Sequence, residues 1–239
     1  MKLLKILFLA VIFATGFINA EAQTADEIIN KYVEAIGGKD KVSEIKTVYM
    51  EGNIDMMNNQ APSVTYIVNG KGVKNEVDFN GTKMITCYTD KGGWTINPMA
   101  GQTTATPVPE DVLKTGQLGL DATGPLFDYA SKGNKVEFVG KENGTYHLKV
   151  VTPTNVESHF YIDTASYYIS KTVTPISANG QQIEMSAENS DFKKTNNGVI
   201  MPYSVKLDFV GTGLVITTTA KIIEVNKEID ESIFEMPKN

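Results

Sequence analysis

Residues 47–56 read Thr47-Val48-Tyr49-Met50-Glu51-Gly52-Asn53-Ile54-Asp55-Met56. In an extended chain successive side chains point to opposite sides, so Val48, Met50, Gly52, Ile54 and Met56 share one face and Tyr49, Glu51, Asn53 and Asp55 share the other. A helix would scatter both sets around its circumference. The stretch therefore predicts a strand of an antiparallel sheet with one face on a core and the other in water.

Working outward, the same alternation recurs at Val64 to Val68, Val73 to Phe79, Met84 to Thr89 and Trp94 to Asn97. It returns at Val136 to Gly140, Tyr146 to Val151, Val156 to Ile162, Tyr168 to Thr174, Ile183 to Phe192, Tyr203 to Val210 and Leu214 to Val225. Asn-Gly pairs at Asn69-Gly70, Asn80-Gly81, Asn143-Gly144, Asn179-Gly180 and Asn197-Gly198 supply tight-turn chemistry, so the strands read as a meander. About a dozen strands are too many for a flat twisted sheet, which curls or splits near ten. Curling at that strand number leaves an interior wider than facing side chains can fill. The expected fold is mainly β with short helices, a curved antiparallel sheet around an apolar cavity.

The inward positions assigned by alternation are Met50, Ile54, Val77, Phe79, Trp94, Leu148, Phe160, Met185, Leu207, Phe209 and Ile216. Such a lining favours hydrocarbon over sugars or ions. The same residues could instead fill the dry core of a β-sandwich. Gly92-Gly93 precedes Trp94 and Ile96 shares its face, which puts the indole at a corner or mouth, with core packing and ligand contact both open.

Two regions break the period of two. Thr24 and Glu27 have capping-box spacing, and Gly37-Gly38 supplies a stop. Between them Ile28, Ile29, Tyr32, Val33 and Ile36 form an apolar helical stripe. A short turn over Lys41 to Ile45 follows. The second region, Pro107 to Lys132, reads as two short helices inserted between strands. Pro109, Glu110 and Asp111 suit a first helical turn, Val112, Leu113, Leu118 and Leu120 give an apolar side, and Gly124-Pro125 restarts a turn through Leu126, Phe127 and Tyr129. These apolar side chains are candidates for a plug or lid. With no linker or sequence repeat, residues 23–239 read as one domain.

The first residues set the compartment. Lys2 and Lys5 precede an apolar run from Ile6 to Phe17 and the small-residue pattern Ala20-Glu21-Ala22, the layout of a secretory signal peptide over residues 1–22. No later run is apolar for the roughly 20 residues that span a bilayer. The lone cysteine, Cys87, lies far from the cleavage point and has no partner for a bridge. The mature chain is expected in the periplasm, without an acyl anchor.

Composition narrows the chemistry. The formal charge is −6 and all 22 basic residues are lysines. That excludes a phosphate-neutralising nucleic-acid role and removes the bidentate guanidinium fork. His147 and His159 are the side chains that titrate near neutral pH. Each lies opposite the apolar face of its strand, and the Pro153-Thr154-Asn155 turn between them could set them side by side. No third ligand stands at a recognisable spacing, so they read as two solvated strand residues, and no metal or cofactor is expected. No nucleophile elbow, His-Glu-x-x-His or phosphate loop appears, and no enzyme is expected. The charged outer strand faces favour a monomer.

Several segments taken in order carry a resemblance: Ala25-Asp26-Glu27-Ile28-Ile29-Asn30-Lys31-Tyr32, Glu34-Ala35-Ile36-Gly37-Gly38, Gly92-Gly93-Trp94-Thr95-Ile96-Asn97-Pro98, Asn197-Gly198-Val199-Ile200-Met201-Pro202 and Ile229-Asp230-Glu231-Ser232-Ile233-Phe234. Together they resemble the outer-membrane lipoprotein-sorting proteins related to the periplasmic carrier LolA, over nearly the whole mature chain. The resemblance implies an unclosed half β-barrel with short helices as a lid, holding lipoprotein acyl chains or another lipid between membrane-bound donor and acceptor proteins. The carriers that serve as prototypes tie lid to barrel with an arginine, and this chain contains none.

Overall fold

At Asn80-Gly81 and Asn143-Gly144 both residues take positive φ, 54° and 88° in the first pair and 48° and 77° in the second. That backbone gives two-residue loops whose twist matches the strands they join. The structure, a computed structural model, describes residues 24–178 and 181–238. The expected signal peptide and the Asn179-Gly180 turn lie outside the described residues.

Hairpin follows hairpin through β1 (Thr47–Met56), β2 (Asn59–Val68), β3 (Gly72–Phe79), β4 (Thr82–Thr89), β5 (Gly92–Asn97) and β6 (Gln102–Pro107). The chain then crosses over and continues through β7 (Lys135–Glu142), β8 (Thr145–Val151), β9 (Glu157–Asp163), β10 (Ile169–Ala178), β11 (Gln181–Lys194), β12 (Ile200–Phe209) and β13 (Leu214–Val225). β1 pairs with β13, so the 13 strands form one antiparallel sheet whose outermost strands are β6 and β7. The first and last strands are central, and the segment between β6 and β7 must carry the chain from one edge to the other. β6 escapes the alternation reading because Gln102-Thr103-Thr104-Ala105-Thr106-Pro107 has a single buried apolar side chain, Ala105.

The β1–β13 register slips between Glu51 and Gly52. A Cβ at Gly52 would run into the Thr219 carbonyl oxygen and the Ala220 Cα, so the bulge demands glycine there.

Register defines the two faces of the sheet. Val48, Met50 and Ile54 stand beside Val225, Ile223 and Thr218, and the same face continues to Leu207, Met185, Thr172, Phe160 and Leu148. This face is covered by α1 (Ala25–Ala35), closed by the Thr24–Glu27 capping box, and by the short α2 (Lys39–Ser43). Ile28, Ile29 and Tyr32 of α1 enter one core with Val48, Val225, Leu148 and Ile162, each fully buried large aliphatic contributing about 1.5–3 kcal/mol. The Ile200 amide donates to the Ile36 carbonyl at 2.7 Å, fixing the helix end against β12.

A second apolar cluster lies on the opposite face. The chain after β13 turns back outside β3 and β4 and ends in a 3-10 turn, Glu231–Phe234, started by Asp230, whose side chain accepts from the Ser232 amide. Phe234 packs with Val68, Cys87, Trp94 and Ala105.

Candidate functional site

The crossing segment opens with α3 (Glu110–Gly116), runs into a 3-10 turn at Gln117–Leu120 and continues through turns to β7. The second helix expected after Gly124-Pro125 is absent. There the chain folds around the Lys132 ammonium, which donates to Asp121 Oδ2 at 2.8 Å and Oδ1 at 3.0 Å, to Thr123 Oγ1 at 2.7 Å and to the Gly124 carbonyl at 2.9 Å. One cation meeting that many carbonyl and side-chain oxygens makes a compact loop more favourable than a helical turn.

The helical part of the crossing segment, α3 with the following 3-10 turn, is fastened to the sheet at both ends. On the β10 side the Ser177 hydroxyl donates to Asp111 Oδ2 at 2.8 Å. On the other side the Gly70 amide donates to the Leu120 carbonyl at 2.8 Å, Gln117 Nε2 donates to the Thr89 carbonyl at 2.8 Å, and the Ala122 amide donates to Asn69 Oδ1 at 3.0 Å. The lid thus spans the inner face from β2–β4 to β10.

Beneath it lies a cavity of about 580 Å³, within the roughly 300–1,000 Å³ range of small-molecule sites. Leu118 and Leu120 come from the lid, Val150 and Phe160 from β8 and β9, and Thr172 and Thr174 from β10, with Asn69 and Gly70 at the β2–β3 turn. In a flat sheet β2 and β10 would be five strand spacings, about 24 Å, apart. Their meeting around one cavity requires the sheet to curl. The lining is amphipathic: Ser158 and Thr174 hydroxyls pair at 2.9 Å within the wall, and Gln117, Asp121, Lys132 and Asn134 add polar groups.

The cavity gathers only part of the sequence-assigned lining. Phe160 lines it. Leu148, with 0% of its surface exposed, is sealed in the core under α1, and Met50 packs against the same core. Val77 is buried on the same face, whereas Ile54, Met185, Leu207, Phe209 and Ile216 are half-buried on it. Phe79 lines a separate cleft with Met56, Met57 and Met99.

Trp94 is a correction. It pairs with Cys87 on the opposite face, and its Nε1 donates to the Phe234 carbonyl at 2.9 Å. Its period-two neighbours are apolar because the C-terminal turn covers that outer face as well, so alternation alone could not tell inside from outside. In the lid set, Leu118 and Leu120 line the cavity and Val112 and Leu113 are half-buried on α3. Leu126 and Phe127 are corrected too: they insert into the main core beside α1, so they anchor the base of the lid instead of facing the cavity.

Sequence reasoning missed Lys132, Asp121, Gln117 and Asn134, whose role depends on a loop conformation without a periodic signal. Ser158 and Thr174 were legible, since each shares the inward parity of an assigned apolar residue, Phe160 in the first case and Met185 in the second. The two histidines lie on the outer face of β8 and β9, where His147 Nε2 and His159 Nδ1 stand 2.8 Å apart. Burial and then the neighbouring His159 hold the His147 pKa below the ordinary histidine value. They are a bonded pair, not two separately solvated side chains. Among the described residues no three His, Cys, Asp or Glu side chains converge as metal ligands.

An unclosed antiparallel sheet curled beneath a short helical lid defines the class to which this fold belongs. Solved structures similar to it include an outer membrane lipoprotein-sorting protein domain from Vibrio parahaemolyticus (12% identity, 88% of this chain and 95% of that one, TM-score 0.56), a DUF1329 family protein from Desulfovibrio piger (12%, 89% and 98%, 0.57) and a LolA superfamily protein from Nitrosomonas europaea (10%, 90% and 98%, 0.57). No family model and no curated protein matches the sequence.

Proposed function

We propose that the protein is a non-catalytic periplasmic carrier, a single exported domain that takes acyl chains of lipoproteins or another lipid into the cavity beneath its lid for transport toward, or sorting at, the outer membrane. The observation that carries this reading is the space of about 580 Å³ between the Leu118–Leu120 turn and the Val150–Phe160 wall, roofed by a segment fastened at both ends. The shared fold with a lipoprotein-sorting domain and a LolA superfamily protein supports it.

Each methylene moved from water into such a site is worth about 0.8 kcal/mol, so ten give about 8 kcal/mol, enough to offset the few kcal/mol lost on association. The polar part of the lining suits a chain that enters tail first and leaves its polar end at Gln117, Asp121 and Asn134. Neither histidine faces the cavity, in keeping with binding rather than catalysis. The carrier works as a monomer between a membrane-bound donor and an acceptor.

The test is organic extraction of protein purified from the periplasm, followed by mass spectrometry, together with displacement of an alkyl fluorophore. The expected result is co-purified lipid and saturable displacement by free acyl chains. A protein that carries no lipid and binds no alkyl probe sinks the carrier reading and leaves an envelope scaffold domain. Amino-terminal sequencing of the same material checks export, with Gln23 expected as the first residue.

A further inference from the structure

On the outer face of β8 and β9, away from the cavity, the His147–His159 pair is built more elaborately than a surface contact requires. The register sets His147 opposite Tyr161 and Lys149 opposite His159, which makes the two imidazoles diagonal neighbours on adjacent strands. Tyr161 stacks on the His147 ring with centroids 4.6 Å apart and planes within 17°, restricting its rotation. The facing nitrogens are His147 Nε2 and His159 Nδ1, at 2.8 Å. Each remote nitrogen has its own carboxylate: Glu157 Oε1 is 3.2 Å from His159 Nε2, and Glu142 Oε1 is 3.6 Å from His147 Nδ1.

We propose that this pair is a binding site for a divalent late transition-metal ion, held by His147 Nε2 and His159 Nδ1, with Glu157 as the hydrogen-bond acceptor behind His159 and the Glu142 carboxylate facing His147 Nδ1 at 3.6 Å. Imidazole ligands commonly turn their second N–H toward a carboxylate, which fixes the tautomer and raises ligand basicity. With metal–nitrogen bonds of about 2.0–2.1 Å, two ligands at a right angle stand roughly 2.9 Å apart and two at a tetrahedral angle roughly 3.4 Å. The two nitrogens, joined by a hydrogen bond at 2.8 Å in the free pair, come within either spacing by a small turn of the rings, and among divalent ions on imidazole ligands the affinity order puts Cu²⁺ above Ni²⁺ and Zn²⁺. Water fills the remaining positions, since two histidines are all the protein offers.

The proton balance is simple. In the free pair His147 Nε2–H donates to His159 Nδ1, and His159 Nε2–H points at Glu157. The opposite arrangement would set a bare His159 Nε2 against the Glu157 carboxylate. Metal binding moves the His147 proton from Nε2 to Nδ1, where it faces Glu142, and turns both freed lone pairs toward the ion. No proton leaves the pair, and no electron is transferred.

The experiment titrates the mature protein with Cu²⁺ alone, by calorimetry and electron paramagnetic resonance, with Zn²⁺ as competitor. One Cu²⁺ per chain is expected, with a spectrum showing two equatorial nitrogens and preference over Zn²⁺. His147→Ala and His159→Ala should each weaken binding at least tenfold. Glu157→Gln should weaken it about tenfold while leaving the fold unchanged by circular dichroism, in line with roughly 10–100-fold for such supporting groups. Broadening of both histidine ring resonances by substoichiometric Cu²⁺ gives the same answer without mutation. Undiminished Cu²⁺ affinity in the His147→Ala/His159→Ala protein, or no binding by the parent chain at 100 μM Cu²⁺, overturns the proposal.

Discussion

The inner face of the sheet has two fates. Near α1 it is dry: Leu148 and Ile162 have 0% exposure, Val48 and Val225 2% each, and the helix fills the space the curl leaves. Under the lid, further along β8 and β9 and on the neighbouring β10, Phe160 at the edge of that core, Thr172 and Thr174 look into a space of about 580 Å³. Strand backbone and parity are alike in both. What differs is the cover, an amphipathic helix with a continuous apolar stripe in one place and a strap held mainly through its ends in the other. The covering element, more than the strands, decides where a void remains.

That contrast is best broken at Leu148. Leu148→Ala should lower unfolding free energy by about 3–4 kcal/mol, in the range for a buried leucine with little room to collapse, and leave alkyl-probe affinity within twofold. Chemical denaturation and probe titration on one preparation check both. A large loss of affinity would mean that dry core and cavity are one space.

Leu118→Trp inverts the test. Leu118 is half-buried at the cavity wall, so the larger ring has room to enter. It should cost under about 1 kcal/mol of stability while weakening the alkyl probe about a hundredfold, roughly 2.7 kcal/mol. Full affinity in a folded variant would place the ligand elsewhere.

Lys132→Met sharpens the comparison at the base of the lid. It removes every bond the ammonium makes to Asp121, Thr123 and Gly124. The partly exposed pair has moderate worth, about 1–2 kcal/mol. Amide exchange should speed up over residues 121–132 and stay unchanged in α1, measured by mass spectrometry. Uniform exchange across both regions would show that the lysine does not organise the lid.

The sequence carried the fold well where one face met water. Alternation marked β1, β8 and β9, and the Asn-Gly pairs marked hairpins. Alternation cannot say what lies above a face, which is why Phe160, Leu148 and Phe79 share a parity yet end in a cavity, a sealed core and a separate cleft. β6 was illegible because threonines dominate an edge strand. The pairing of β1 with β13 leaves no local trace, since it joins segments more than 150 residues apart. Lys132 acts through a loop conformation that propensity does not encode.

The outer cluster, a dry patch on the other face of the sheet, allows the finest test. Trp94 Nε1 and Cys87 Sγ both donate to the Phe234 carbonyl, at 2.9 and 3.5 Å, so the C-terminal turn hangs on one acceptor. Trp94→Phe should cost about 1 kcal/mol, the usual worth of one such bond. Burial raises the Cys87 pKa from 9.0 to about 11. The folded protein therefore holds the thiol proton over a range where the unfolded chain has released it. The resulting stabilisation is complete below pH 9 and is lost as pH rises through about 11. Tyrosines titrate in the same alkaline range, Tyr32 being pushed to about 12, so the useful quantity is the difference between the parent and Cys87→Ala. The parent should lose more stability than the variant between pH 8.5 and 11 in parallel denaturant titrations. At pH 8 its thiol should react with a disulfide reagent only after denaturant is added. Parallel stability curves, or fast labelling of the native protein, would mean that the C-terminal turn opens readily and that this cluster is a looser cover than α1.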